Sequence, residues 1–232
     1  RLDCLVVGPG MGRREGVLAG AADIVEDAAR RREMPVVVDA DGLFLVARRP
    51  EIVAGCANVV LTPNAVEFER LKRRVLPAAP ADDRRDVPEA VRRAKDVVDV
   101  ARALGGVTVV AKGKVDLVSD GDAVLAVDHL GSPRRCGGIG DILSGSTAVL
   151  LTWASRPANA PTLVAADGAK QVRASPRLWA CYGACVLARR AANAAFARKR
   201  RAMTAPDVLH CVADAFEAMC PTVVIDDPHR SP

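Results

Sequence analysis

The 232-residue chain reads as an α/β domain with a mostly parallel central sheet covered by helices on both faces. Three observations lead there. Short runs of continuous Val, Leu and Ile alternate with stretches of helical periodicity, the pattern of strands buried on both sides. Those runs end in one vocabulary of Gly, Asp, Asn, Thr and Lys, as strand ends do where a parallel sheet opens on a ligand. And half the residues are hydrophobic with only 3% aromatic, which suits an aliphatic, alanine-rich, helical covering.

Taken in order, "CLVV" (Cys4 to Val7) is a strand that ends in the glycine turn "GPGMG". Val17, Leu18, Ala21, Ile24, Val25, Ala28 and Ala29 then recur near the 3.6 period of a helix. "PVVVDADG" (Pro35 to Gly42) is a buried strand running into acids and glycine, and "ANVVLTPN" (Ala57 to Asn64) is a further strand stopped by Pro63. Pro88 to Leu104 is helical and "GVTVVAKG" (Gly106 to Gly113) is a strand. "VDLVSDGDAVLAV" (Val115 to Val127) carries two apolar arms around Ser119, Asp120, Gly121 and Asp122, a hairpin signal. Helices are expected over Ile139 to Trp153, Leu178 to Lys199 and Ala205 to Met219. "LPAAPADDRRDVP" (Leu76 to Pro88) and Ser155 to Arg177, rich in Pro, Ala and charge, read as surface insertions.

Composition narrows the function classes. No run of 18 apolar residues exists, so no membrane-spanning helix is expected. The net charge of +5 permits an anionic ligand, whereas so few aromatics leave little for stacking nucleic-acid bases. "ARKRRAM" (Ala197 to Met203), the one dense basic run, reads as a solvated helix end. Seven cysteines without paired spacing form no disulfide framework, and Cys181 and Cys185, one helical turn apart among alanines, read as buried thiols. A reducing compartment follows, the cytoplasm or the mitochondrion. The chain opens directly on a strand pattern, so no leader is legible and the natural N-terminus is expected upstream.

The chemistry concentrates in "RRCGGIGDILSGS" (Arg134 to Ser146). Glycine is a poor helix former, yet Gly137, Gly138 and Gly140 stand where a helix begins. Bare backbone there lets the chain approach an anion whose charge meets the first-turn amides and the helix dipole. Asp141 would repel phosphate, but it suits a base that takes a proton from a hydroxyl attacking phosphorus. It equally suits an ordinary helix N-cap. The spacing is neither a P-loop nor the dinucleotide fingerprint, and His129, His210 and His229 follow no metal-ligand or triad pattern. Asn64 and Glu67 have two readings as well, as polar anchors for a ligand or as a capping box.

"GGIGDILSG" resembles the anion hole of ribokinase-like kinases. With "VVGPGMGR", "PVVVDADGL", "VVLTPNAVEFERL" and "VVAKGKVDLVSDGD" in order ahead of it, and "ACYGACVLARRAANAAFARKRRAMTAPDVL" after it, the chain is similar to the ATP-dependent NAD(P)H-hydrate dehydratase family over nearly its whole length apart from the insertions. The resemblance implies one ribokinase-like three-layer α/β/α domain over residues 1–232. It implies a repair reaction: ATP phosphorylates the hydroxyl of a hydrated nicotinamide ring, and loss of phosphate restores NADH or NADPH. Gly10, Gly12 and the run Asn64, Ala65, Val66, Glu67, Phe68, Glu69 and Arg70 would contact the hydrate, with Asp141 as base. Lys112, Gly113, Lys114, Val115 and Asp116, with Gly131, Ser132, Pro133, Arg134, Arg135, Cys136, Gly137, Gly138, Ile139 and Gly140, would hold ATP. It implies Mg²⁺ arriving with ATP, at no residue it specifies, and an epimerase that interconverts the two hydrate epimers. A homo-oligomer is left open.

Ile139 departs from the pattern, since a polar residue is often found there, so one side-chain contact is lost while the amides remain. The family also has further strand and helix ahead of "GPGMGR", so part of the substrate-site wall is expected to lie outside this chain. Two other readings stay open: a small-alcohol kinase on the same fold, for a thiazole alcohol or a sugar, and a nucleotide-binding protein without turnover.

Overall fold

The computed structural model describes residues 2–77, 87–156 and 175–221. Within them, six strands form one sheet in the order β1(Leu5–Val7), β2(Val36–Val38), β3(Val59–Leu61), β4(Thr108–Ala111), β5(Asp116–Ser119) and β6(Val124–Val127). The first four are parallel, in register Leu5 to Val36, Val36 to Val59 and Val60 to Thr108. β5 turns back antiparallel to β4, and β6 antiparallel to β5, as the hairpin signal predicts. Inside that turn Ser119 Oγ donates to the Ala123 carbonyl (2.7 Å) and accepts from Gly121 N (3.0 Å), with Gly121 at φ +96°.

The strands lie side by side in chain order, and crossovers of one hand between successive neighbours all fall on the same side of such a sheet. Accordingly α1(Glu15–Glu26), α2(Asp41–Arg48), α3(Ala65–Val75) and α4(Glu89–Ala103) share one core with Val36, Val38, Val59, Leu61 and Val109. The opposite face is left for the helices C-terminal to β6. There α5(Ile139–Ala154) and α6(Pro176–Lys199) pack on Val37, Val60, Val110, Val118 and Val127. Strand side chains alternate between faces, so adjacent valines of one strand serve opposite cores. α6 is itself covered by α7(Ala205–His210) and α8(Val212–Met219), which explains why its alanines and cysteines are buried around most of its circumference.

Two expectations are corrected. The helix expected over Ala205 to Met219 is two, because Cys211 N bonds back three residues to Val208 O (3.0 Å) in a turn; Cys211 and Ala215 are both buried. The strand expected over Pro35 to Gly42 is confined to Val36–Val38, and Asp41 and Gly42 already open the helix α2, which buries Leu43, Leu45 and Val46. The N-terminal helical stretch ends in a wider π turn at Asp27–Arg31. Of the two insertions, 78–86 and 157–174 lie outside the described residues. No helix among the described residues is long and apolar enough to cross a membrane.

Candidate active site

The carboxyl ends of β2, β3 and β4, together with the first turn of α5 and one face of α6, enclose a cavity of about 490 Å³. Its walls are Asp39 and Ala40 after β2, Asn64, Ala65 and Glu67 after β3, and Lys112, Gly113 and Asp116 around the turn from β4 to β5. The loop Gly131–Asp141 closes one side, except for Pro133, and Leu143, Cys185, Ala188, Arg189 and Ala192 close the other.

The glycine segment is built as a helix start. Gly138 is the N-cap of α5 at φ +91°, and Ile142 N is the first to return into the helix, to Gly138 O at 3.2 Å. The amides of Ile139, Gly140 and Asp141 therefore have no acceptor within the helix. Asp141 is the third helical residue, exposed at the cavity, so its N-cap reading falls and a carboxylate on the first turn remains. The positions of the glycines differ in kind. A Cβ at Gly138 would stand 2.7 Å from Ala205 Cβ, whereas one at Gly140 would lie at ordinary contact, 3.6 Å from both Asp39 Oδ2 and Lys112 Nζ.

Two buried ion pairs frame the cavity. Lys112 Nζ donates to Asp39 Oδ1 (2.9 Å), which also accepts from Ala40 N (2.9 Å), and Asp39 is 2% exposed. Ala40 sits at φ +48°, ψ −118°, a conformation a non-glycine residue keeps only when its surroundings enforce it. Nearby, position 8 requires glycine, since its φ is +121° and a Cβ there would overlap the Asp39 carbonyl. On the other side, Arg189 Nε donates to Asp116 Oδ2 (2.6 Å), and its terminal nitrogens donate to the carbonyls of His129 (3.0 Å), Gly113 (2.9 Å) and Lys114 (2.9 Å). Burial opposes the charge of Arg189, but the hydrogen bond and charge of Asp116 outweigh it and hold the guanidinium above its usual value. One side chain thus ties the turn from β4 to β5 and the segment after β6 to α6.

Asn64 and Glu67 form a complete capping box. Asn64 Oδ1 accepts from Val66 N and Glu67 N (both 3.0 Å), and Glu67 Oε2 accepts from Asn64 N (2.8 Å). Asn64 Nδ2 and Glu67 Oε1 have no hydrogen-bond partner among the described residues, and both residues line the cavity. Arg134 Nε donates to Met203 O (2.9 Å), anchoring the glycine loop to the segment before α7.

Other residues singled out in the sequence lie elsewhere. Gly10, Gly12, Val66, Phe68, Glu69, Arg70, Lys114, Val115 and Pro133 do not line the cavity. Phe68 belongs to the core, and with Glu69 it borders a separate pocket of about 100 Å³ between α3 and α4. Gly12 N instead donates to Asp41 Oδ2 (3.0 Å), tying the first glycine turn to α2. Conversely, sequence reasoning missed Asp39, Ala40 and Arg189 as wall residues. "DADG" at a strand end signals the first two, and an arginine inside an alanine-rich helix signals the third.

Cys181 and Cys185 are buried thiols, as expected, and burial pushes Cys181 to about 12 and Cys185 well above the ordinary thiol range. Among the described residues no three His, Cys, Asp or Glu side chains gather to hold a metal. Of the cavity's acids, Asp39 and Asp116 are committed to Lys112 and Arg189. That donor set fits a magnesium ion carried on phosphate oxygens, which takes one or two protein carboxylates, and not an all-protein cage.

A family profile described as NAD(P)H-hydrate dehydratase matches residues 1–214. The chain is 44% identical over 221 residues to the ATP-dependent (S)-NAD(P)H-hydrate dehydratase of Bos taurus, covering 94% of this chain and 61% of that protein. It is 40% identical over 222 residues to the protein of the same name from Vitis vinifera, covering 95% and 58%. The chain thus spans about three fifths of the length of these relatives. In fold it is similar to a ribokinase-like superfamily protein from Enterococcus faecalis, with a TM-score of 0.59 at 16% identity, covering 93% of this chain and 63% of that one. A sheet read from its valines, a glycine-led helix start at the cavity and a match over most of the chain converge, and the chain belongs to the NAD(P)H-hydrate dehydratase family.

Proposed function

We propose that this domain performs the ATP-dependent dehydration of the (S) hydrate of NADH or NADPH. The observation that carries the reading is the start of α5: free first-turn amides and the Asp141 carboxylate line one cavity together with Asn64 and Glu67. An anion hole and a base on the same turn suit phosphoryl transfer to a hydroxyl.

In this reading Asp141 takes the proton of the ring hydroxyl as its oxygen attacks the γ-phosphorus, and ADP leaves. The amides of Ile139, Gly140 and Asp141 meet the charge on the transferred phosphoryl group, with Arg134 and Arg135 beside them at the loop. Within the runs Lys112 to Asp116 and Gly131 to Gly140 the cavity-lining residues bind ATP, while Asn64, Ala65 and Glu67 contact the hydrate, with Gly10, Gly12 and the rest of the run to Arg70 outside the cavity. Asn64 Nδ2 and Glu67 Oε1 are the donor and acceptor left for the nicotinamide carboxamide. The ring's C–O bond to phosphate then breaks as the neighbouring carbon gives up a proton, and the double bond of the dihydronicotinamide returns. A Mg²⁺ ion supplied with ATP would neutralise phosphate charge. An enzyme for the (S) form depends on a separate epimerisation to clear the (R) form, and a reducing compartment suits thiols that are all unpaired among the described residues.

The test is incubation with ATP, Mg²⁺ and hydrated NADH. Recovery of the NADH absorbance band with equimolar phosphate is expected. ATP consumption without that recovery would favour a small-alcohol kinase, and no consumption a binding protein.

A further inference from the structure

On the α2–α3 side of the cavity, guanidinium groups gather around one aromatic ring. Arg13 Cζ lies 4.6 Å from the centroid of Phe44, and Arg48 and Arg70 each lie 5.8 Å from it. Arg13 uses its Nε on Asp41 (2.6 Å) and Arg48 one nitrogen on Glu15 (2.7 Å), which leaves both forks with further donors. Arg70 is exposed and has no hydrogen-bond or ion-pair partner among the described residues; its neighbour is the ring. Cations held by the face of an aromatic ring, with donors to spare, are a prepared place for an anion.

The cluster adjoins the cavity along two helices. Ala40 and Glu67 are on the cavity wall. Phe44 lies four residues past Ala40 and Arg70 three past Glu67, so each stands about one helical turn, roughly 5 Å, farther out on the same face. The cavity of about 490 Å³ is on the scale of a single drug-sized ligand. With a triphosphate inside it, a dinucleotide can place only its reacting ring there and must leave across the rim. One ribose separates that ring from the pyrophosphate bridge, which matches a step of one turn; the adenosine lies a nucleoside farther away.

We propose that Arg13 and Arg70, oriented by Phe44, form a subsite for the pyrophosphate bridge of the hydrated dinucleotide. The assignment rests on the hydrate-dehydratase reading. It gives Arg70 a role outside the cavity and adds Phe44 and Arg13, and a small alcohol would have no use for it.

The experiment compares wild type, Arg70→Gln and Phe44→Leu for KM and kcat on hydrated NADH, hydrated NADPH, hydrated reduced nicotinamide riboside and ATP. Alongside, calorimetry measures Kd for NADH itself, which needs no turnover. Loss of a charged hydrogen bond predicts that Arg70→Gln raises KM for both dinucleotide hydrates and Kd for NADH about ten-fold. The values for the riboside and for ATP stay unchanged, and Phe44→Leu, which keeps the charges but loosens them, falls between. Unchanged dinucleotide KM values in an enzyme that turns over the hydrate overturn the subsite and leave the dehydratase reading intact. A rise shared by the riboside, or confined to hydrated NADPH, also overturns it. If wild type does not act on the hydrate, the dehydratase reading fails; Kd for NADH then decides, an unchanged value in Arg70→Gln overturning the subsite and a weakened one retaining it.

Discussion

Lys112 Nζ stands 2.9 Å from Asp39 Oδ1, so the ends of β4 and β2 are joined over the end of the strand between them, β3. The same carboxylate oxygen accepts from Ala40 N and helps to hold its strained backbone, while Oδ2 faces the first turn of α5 near Gly140. One buried pair thereby fixes the relative positions of three walls of the cavity.

Lys112→Met should be the more damaging of the two single changes. It leaves a carboxylate that is 2% exposed without its counter-charge. Removing one partner of a buried pair costs about 3–5 kcal/mol, with the lower end expected here because Lys112 retains some exposure. Asp39→Asn with Lys112→Met should cost less than the sum of the single variants, as coupled residues do. Urea denaturation of the four proteins measures this; additive losses would show that the pair carries no coupling.

Gly138→Ala and Gly140→Ala should part company. The first meets a positive φ and the Ala205 methyl at 2.7 Å, so both thermal stability and ATP affinity should fall. The second has room and an ordinary helical φ, so it should fold nearly as wild type and weaken ATP use through the Cβ beside the amides. Melting curves and ATP titrations of both variants separate the effects. A Gly140→Ala protein with wild-type ATP affinity would place the phosphates elsewhere.

Asp141→Asn should abolish hydrate turnover and spare ATP binding, since the amide keeps the shape and loses the base. Loss of a positioned base typically lowers the rate about 10²–10⁴-fold. Single-turnover rates with ATP titrations check it, and near-normal turnover would remove Asp141 from the chemistry.

Asn64→Asp is a cleaner probe than alanine. Aspartate keeps the Oδ acceptor of the capping box, so stability should change by only a few tenths of a kcal/mol, where Asn64→Ala should cost about 0.5–2 kcal/mol. It deletes the Nδ2 donor and brings a second negative charge beside Glu67. KM for hydrated NADH should therefore rise with KM for ATP little changed. An unaltered hydrate KM would confine Asn64 to its cap.

Much of this protein is written locally. Unbroken valine runs such as Val36–Val38 determine strands buried on both faces, and the polar residues that end them mark one edge of a parallel sheet. The capping box at Asn64 and Glu67, the hairpin around Gly121 and the glycine-led start of α5 are set by turn and helix-start chemistry within a few residues. What the sequence did not determine is which distant groups meet. Asp39 and Lys112 are 73 positions apart, as are Asp116 and Arg189, and each pair is brought together by strand order and by the packing of α6. Nor is it local that Gly138 has no room for a methyl while Gly140 does, or that the Arg70 guanidinium meets the Phe44 ring from another helix. The physical reason is range. Backbone propensity and capping act over one turn or one strand, whereas burial and ion pairing depend on which elements the sheet places side by side.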